Sequence, residues 1–406
     1  MNTIALLHYS APPVVGGVES VMEHHARLLT AAGHTVRLVA GRGQPTDRRI
    51  ALFKIPLMDS RHSRVLAAKQ ALDAGRQPAG WARLVNDIQQ RLADALAGVE
   101  LVIAHNVASL HKNLALTQAL YQLAQQPGFG RLVLWHHDVA WGALRYNTEL
   151  HPGPPWELLH TPWPNATHVT ISAARQAELA ALLQLPREEI RVIPNGVSPR
   201  LFYKLGRTSI GLLQRLDLLA ASPLLLMPVR LTRRKNIELA LHTLAALRTK
   251  MPAARLLVTG PLGPHNPANQ SYFEALLRLR AELGLQAHAH FLAEHVEGFI
   301  PDEVISDFYQ LADALFFPSQ DEGFGIPLLE AGLAQIPVFC SAIPALQELG
   351  AQDVSYFAPD ANPESVATLI YDQLQASATW RLRARVRSQY TWQQIYTHHL
   401  APLVSP

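Results

Sequence analysis

The 406 residues are too many for one ordinary hydrophobic core and suit two domains of about 200 residues each. With 49% hydrophobic and 17% charged residues, each half can bury a core, which excludes a disordered chain. A formal charge of only +3, with no basic stretch interleaved with aromatics, argues against nucleic acid as a partner, and a single cysteine excludes an internal disulfide or a multi-cysteine metal site.

The N-terminal "MNTIALLHYS" lacks a basic region and has only a short apolar run, so it reads as a first strand over 3–8 and not as a secretion signal. No apolar run reaches the roughly 18 residues needed to cross a bilayer, and the expected compartment is the reducing cytoplasm. Val18, Val21, Met22, Leu28 and Leu29 mark one face of a helix that stops at Gly33. Strands follow at 35–40, 100–104, 131–135, 168–171 and 191–194, with a helix over 172–183. "PNGVSPRLFYKLGR" (194–207) carries two prolines and an Asn-Gly, which makes it a turn-rich linker. The alternation then restarts, with strands at 223–229, 254–260, 314–317 and 336–340 and helices at 237–247 and 273–285. Cys340 falls in the apolar "IPVFCSA" and reads as a small buried hydrophobe. A last helix covers 390–404. Segments 52–65 and 260–272 read as irregular insertions.

Short apolar strands alternating with helical periodicity predict parallel sheets with crossover helices, an α/β chain of two doubly wound units facing a central cleft. The predicted domains are 1–197 and 198–385, with 386–406 returning to pack on the first. Residues 42–76 hold eight Lys/Arg against three acids, a surplus of five positive charges. That surplus reads as a solvated face, or as a surface for an anionic acceptor or an acidic membrane.

Three stretches carry candidate chemistry. "PPVVGGVES" (12–20) sets Gly16 and Gly17 immediately before the first helix, where free N–H groups and the helix dipole favour an anion, although a Gly-Gly pair is also a common tight turn. "MPVRLTRRKNIELAL" (227–241) places Arg230 at a strand end and Lys235 at the next helix start, a pair suited to clamping a diphosphate. Arg233 and Arg234 read as solvated neighbours. "SQDEGFGIPLLEAGLAQIPV" (319–338) spaces Glu322 and Glu330 eight residues apart around a glycine turn. Pro327 suits the first position of a helix, which puts Glu330 in its first turn. The N–H groups of Gly323, Phe324, Gly325 and Ile326 are then free to donate to phosphate or sugar oxygens.

This E-x7-E segment resembles that of the retaining GT4 glycosyltransferases, which use the GT-B fold of two Rossmann-like domains. The resemblance runs over almost the whole chain, with "VVGGVE", "LWHHD", "VTIS", "VIPNGV" and "VRLTRRKN" in the family's order. It implies a hexosyltransferase that takes a nucleotide sugar, UDP-glucose or GDP-mannose, and transfers the hexose to an acceptor hydroxyl with retained configuration. It also implies no cofactor, and no metal, in keeping with the absence of the Asp-x-Asp that GT-A enzymes use. By the same resemblance Glu330 binds the ribose, Glu322 the donor hexose, and the amides of Gly323, Phe324, Gly325 and Ile326 the sugar and phosphate. Arg230 and Lys235 hold the diphosphate, which Gly16 and Gly17 approach. His137 contacts the hexose C6 hydroxyl, with His136 the alternative one residue earlier. "AEHV" (293–296) falls where the family holds the base, without the family's usual glycine. A sugar-nucleotide epimerase and a non-catalytic nucleotide-sugar binder are the alternative functions for such a scaffold.

Overall fold

The computed structural model describes residues 1–141, 146, 148–262, 268–296, 298 and 300–405. It forms two compact units, residues 1–196 with 392–406, and residues 197–391.

The first unit is built on seven parallel strands: β1 (Thr3–His8), β2 (Thr35–Ala40), β3 (Ala51–Lys54), β4 (Leu101–His105), β5 (Arg131–His136), β6 (Ala166–Thr170) and β7 (Ile190–Val192). Their order across the sheet is β3-β2-β1-β4-β5-β6-β7. The sheet order therefore reverses between β1 and β4, where Ile4 pairs with Leu101 and Leu7 with Ala104. The strands are near-continuous apolar runs because crossover helices cover a parallel sheet on both faces. The main crossovers are α1 (Gly17–Ala31), α2 (Ser63–Asp73), α3 (Trp81–Leu96), α4 (Leu114–Ala124) and α5 (Ala173–Leu183). Asn113 caps α4 by accepting from Leu116 N at 3.1 Å, and Ser172 caps α5 by accepting from Arg175 N at 3.2 Å.

The second unit repeats the plan with β8 (Leu224–Met227), β9 (Arg255–Val258), β10 (Ala289–Phe291), β11 (Ala314–Phe317), β12 (Val338–Ser341) and β13 (Ser355–Phe357), ordered β10-β9-β8-β11-β12-β13. Two short helices, α6 (Pro199–Phe202) and α7 (Arg207–Arg215), precede its sheet. Around the sheet lie α8 (Ile237–Lys250), α9 (Ala268–Glu282), α10 (Asp302–Leu311), α11 (Ile326–Leu333), α12 (Pro344–Gly350) and α13 (Pro363–Ala376). Cys340 is fully buried on β12 and burial pushes its thiol up to about 12, which makes it a core residue.

Several expectations change. The segment 52–65 holds most of β3 and leads into α2, and β3 escaped notice because a half-exposed edge strand carries no apolar run. The helix expected over 273–285 begins at Ala268, while residues 263–267 of the expected insertion lie outside the described residues. The chain returns to the first unit at Trp392, not at 386. The reason is α14 (Ala378–Gln389), which belongs to the second unit: buried Arg387 donates to Asp313 Oδ2 at 2.7 Å, and Leu224 N donates to the same oxygen at 2.8 Å. After it, α15 (Trp392–Ile395), a π-helical turn (Tyr396–Leu400) and α16 (Ala401–Val404) bury Ile395, Leu400, Leu403 and Val404 against Ile4, Leu6, Val21 and Met22.

Asp313→Ala should destabilise the second unit by about 3–5 kcal/mol, because it leaves Arg387 charged and buried without its acid. Urea unfolding followed by tryptophan fluorescence measures this, and a midpoint close to wild type would show that the pair does not anchor α14.

Candidate active site

Ligands of open α/β sheets bind beyond the carboxyl ends of the strands, where the sheet order reverses. In the second unit that point lies between β8 and β11. The loop after β8 carries Arg230, Arg234 and Lys235, and the loop after β11 carries residues 319–325. The two loops are joined directly. Lys235 Nζ donates to Glu322 Oε1, and Arg234 Nη1 lies 3.6 Å from the other carboxylate oxygen. Arg234 also donates to the Asp321 carbonyl at 3.0 Å, while Gln320 N donates to the Arg234 carbonyl at 2.8 Å. Arg234 is thus exposed, as a solvated neighbour is, and in addition links the two loops. Arg233 turns away, stacking over the Tyr272 ring at 5.1 Å.

Lys235 is 7% exposed, with its Nζ 5.4 Å from the Phe317 ring centroid. Burial lowers its pKa, and the bond to Glu322 opposes that shift. Arg230 is exposed, and its side chain makes no hydrogen bond or ion pair among the described residues.

Gly325, at φ +107°, turns the chain into α11 in a conformation that suits glycine. The helix starts at Ile326, so Pro327 is its second residue and Glu330 its fifth. Glu330 thus lies just past the first turn, one step further along than expected. Its Oε2 accepts from the Tyr309 hydroxyl at 2.6 Å. Among the described residues the N–H groups of Gly323, Phe324, Gly325 and Ile326 meet no acceptor, and Phe324 and Ile326 are exposed. Segment 293–296 follows β10; within it Glu294 makes two hydrogen bonds to Arg280, at 2.6 and 2.8 Å.

In the first unit the sheet order reverses between β1 and β4, and their ends carry histidines. His8 Nδ1 is 2.8 Å from the His105 carbonyl and donates to it. His105 Nδ1 lies 3.1 Å from His137 Nε2, and His137 N donates to Asn106 Oδ1 at 2.7 Å. His136, one residue earlier and so on the opposite side of an extended chain, pairs with His168 at 3.1 Å. Burial, and then His8, hold His137 at about 3, so its ring is neutral. Glu19 was missed from the sequence. It is a buried acid in the first turn of α1, it accepts from Ser10 Oγ at 2.5 Å and lies 4.0 Å from His8, and its carboxylate sits over Gly16 where only a hydrogen leaves room. The start of α1 thus already carries one negative charge of its own, and the open space is at Gly17.

The basic segment is partly neutralised. Arg42 pairs with Asp59 at 3.4 Å, Arg49 with Asp47 at 2.7 Å and Arg64 with Asp87 at 2.8 Å. Asp73, His111 and Glu149 come close enough to share a cation, and Lys69 fills the place, 2.6 Å from Asp73 and 2.8 Å from Glu149. That group is an ion-pair cluster.

Residues 15–201 match the model of Glycosyltransferase Family 4, and residues 214–389 that of Glycosyl transferases group 1. The MMP alpha-(1->4)-mannosyltransferase of Mycolicibacterium hassiacum is 25% identical over 376 residues, 86% of this chain and 83% of the relative. The mannosylglucosylglycerate synthase of Petrotoga mobilis is 25% identical over 320 residues, 73% of each chain. The crystal structure of WaaG, a glycosyltransferase involved in lipopolysaccharide biosynthesis, aligns over 99% of both chains at 18% identity with a TM-score of 0.37. Two Rossmann-like units in one chain, each matched by a glycosyltransferase model, define a sugar-transferring enzyme of the GT-B class. The chain belongs to the GT4 glycosyltransferases.

His8 and His168 are held at about 4, and His25 and His137 at about 3, each chiefly by burial. Unfolding lets each take up a proton near its ordinary 6.5, so between these limits the unfolded chain binds more protons and stability falls as the pH falls. At about pH 5.5 each costs on the order of 1 kcal/mol. Urea midpoints should drop clearly between pH 7.5 and 5.5, and less steeply in His25→Phe. Midpoints that do not move would mean that these imidazoles are not buried and neutral.

Proposed function

We propose that this enzyme transfers a hexosyl group from a nucleotide sugar to an acceptor hydroxyl, retaining the anomeric configuration and using no metal. The observation that carries this reading is the Lys235–Glu322 pair at the reversal point of the second sheet, beside the unpaired amides of residues 323–326. Cation, carboxylate and free N–H groups there match the three parts of a bound sugar diphosphate. Lys235 and the exposed Arg230 meet the diphosphate oxygens, Glu322 accepts from hexose hydroxyls, and Glu330 accepts from the ribose. Within the first unit, the neutral His137 ring can hydrogen-bond a sugar hydroxyl, and Gly17 leaves open space at the start of α1.

Donor binding exchanges the internal Lys235–Glu322 pair for bonds to the ligand. In the reaction the anomeric carbon–oxygen bond breaks with its electron pair going to the diphosphate. Lys235, Arg230 and the helix-terminal amides stabilise that charge as it develops. The acceptor oxygen bonds the anomeric carbon on the same face, and its proton passes to the departing phosphate oxygen. Both named relatives make mannose-containing products, which favours GDP-mannose over UDP-glucose as donor. Arg48, Lys54, Arg61 and Arg76 form no ion pair among the described residues and support an acceptor that carries an anionic group.

Lys235→Ala should lower turnover by about 10²–10³, the usual effect of removing a group that stabilises charge in the transition state. Near-native turnover in that variant would remove Lys235 from the diphosphate.

Incubation with GDP-mannose, and in parallel with UDP-glucose, should give product from the first, with the donor's anomeric configuration by proton NMR and undiminished rate in excess EDTA. An inverted product, or activity lost to EDTA and restored by Mg²⁺, contradicts the corresponding part of the mechanism.

A further inference from the structure

We propose that Tyr309 is a positioning residue for Glu330 and sets the enzyme's preference for ribonucleotides over deoxyribonucleotides. This rests on the ribose reading of Glu330.

Glu330 is half-buried on α11, and its carboxylate faces Tyr309 on the neighbouring α10. Tyr309 is 4% exposed, and its ring belongs to the core of the second unit. Its hydroxyl has one proton to give. That proton goes to Glu330 Oε2 at 2.6 Å, in preference to the Pro327 carbonyl at 3.4 Å. Burial and the neighbouring carboxylate push the phenol's pKa well above its ordinary value, so it remains a donor at any working pH. Without this bond, a glutamate on a helix surface samples several rotamers, and ordering it costs free energy on binding. With it, one oxygen is fixed by the protein and the other is aimed.

The two residues share the wall of a cavity of about 460 Å³ between α10 and α11, which Asp302, Ser306, Leu333 and Ala334 also help to line. Its size and mixed polar and apolar walls fit a nucleoside. The bonded pair stands where ribose hydroxyls would choose between a carboxylate held in place and a mobile one. A 2′- or 3′-deoxy sugar loses that interaction. The preference for ribose therefore depends on how firmly Glu330 is held, and the phenol hydroxyl holds it.

The test is Tyr309→Phe, which keeps the buried ring and removes one oxygen. Calorimetry should compare GDP with 2′-deoxy-GDP and 3′-deoxy-GDP, or the uridine series if UDP binds more tightly. Wild type should prefer the ribonucleotide. In Tyr309→Phe its affinity should fall about tenfold or more, as expected for one lost hydrogen bond to a charged group, while a deoxy form stays within about twofold. A merely structural role would weaken all forms alike, and that result, or an unchanged preference, overturns the proposal. Glu330→Ala separates the two claims. If it leaves the ribose preference intact, the ribose reading fails; if it abolishes the preference while Tyr309→Phe does not, only the role of Tyr309 fails.

Discussion

A parallel sheet whose order reverses beside its first strand constrains everything else in this enzyme. At the reversal, the chains leaving the two neighbouring strands pass to opposite faces, and the carboxyl ends between them stay uncovered. In the second unit those neighbours are β8 and β11, and the residues that follow them, Arg230 to Lys235 and Ser319 to Gly325, have no helix laid over them. Backbone N–H groups at the start of α11 are left without acceptors for the same reason. In the first unit the same reversal gathers His8, His105 and the start of α1. Chemistry collects at these ends because the topology leaves polar groups there that the fold does not itself satisfy.

The second unit handles those polar groups by setting them against one another. Removing an ammonium and a carboxylate from water is costly, and their attraction roughly offsets that cost when the geometry is good. Lys235 and Glu322 do this for each other, with Phe317 beneath the ammonium and Arg234 on the second carboxylate oxygen. Two unmatched buried charges would be costly, and paired they compensate each other.

How much of this was legible in the sequence follows from what each signal depends on. Strands such as β1, β8 and β11 are buried on both faces and announce themselves as apolar runs. The edge strand β3 and the three-residue β10 and β13 carry too little pattern to be seen. The spacing of Glu322 and Glu330 is local and was readable, and so was the Arg230–Lys235 cluster. What was not readable is who holds these residues. Arg233 and Arg234 are identical neighbours, and only a single 3-10 turn decides that one stacks on Tyr272 while the other reaches Glu322. Tyr309 lies 21 residues before Glu330, and His105 lies 32 before His137, distances at which no periodicity connects two side chains. Glu19 sat in view beside Gly16 and Gly17, but its burial against Ser10 and His8 is a tertiary fact.

The return of the chain at Trp392 has a consequence for synthesis. Residues 197–391 are continuous, so the second unit has all its parts as soon as Thr391 clears the ribosome. The first unit, though begun earlier, still lacks the side chains that close its core: Trp392 stacks on His24 with ring centroids 4.6 Å apart, and Asn2 bonds the Val404 carbonyl at 2.8 Å. Domains fold as units during translation, generally from the N-terminus onward. Here the order inverts, and the unit started first is the one finished last. Its sheet must wait with Ile4, Leu6 and Met22 open on one side while the ribosome makes nearly two hundred intervening residues.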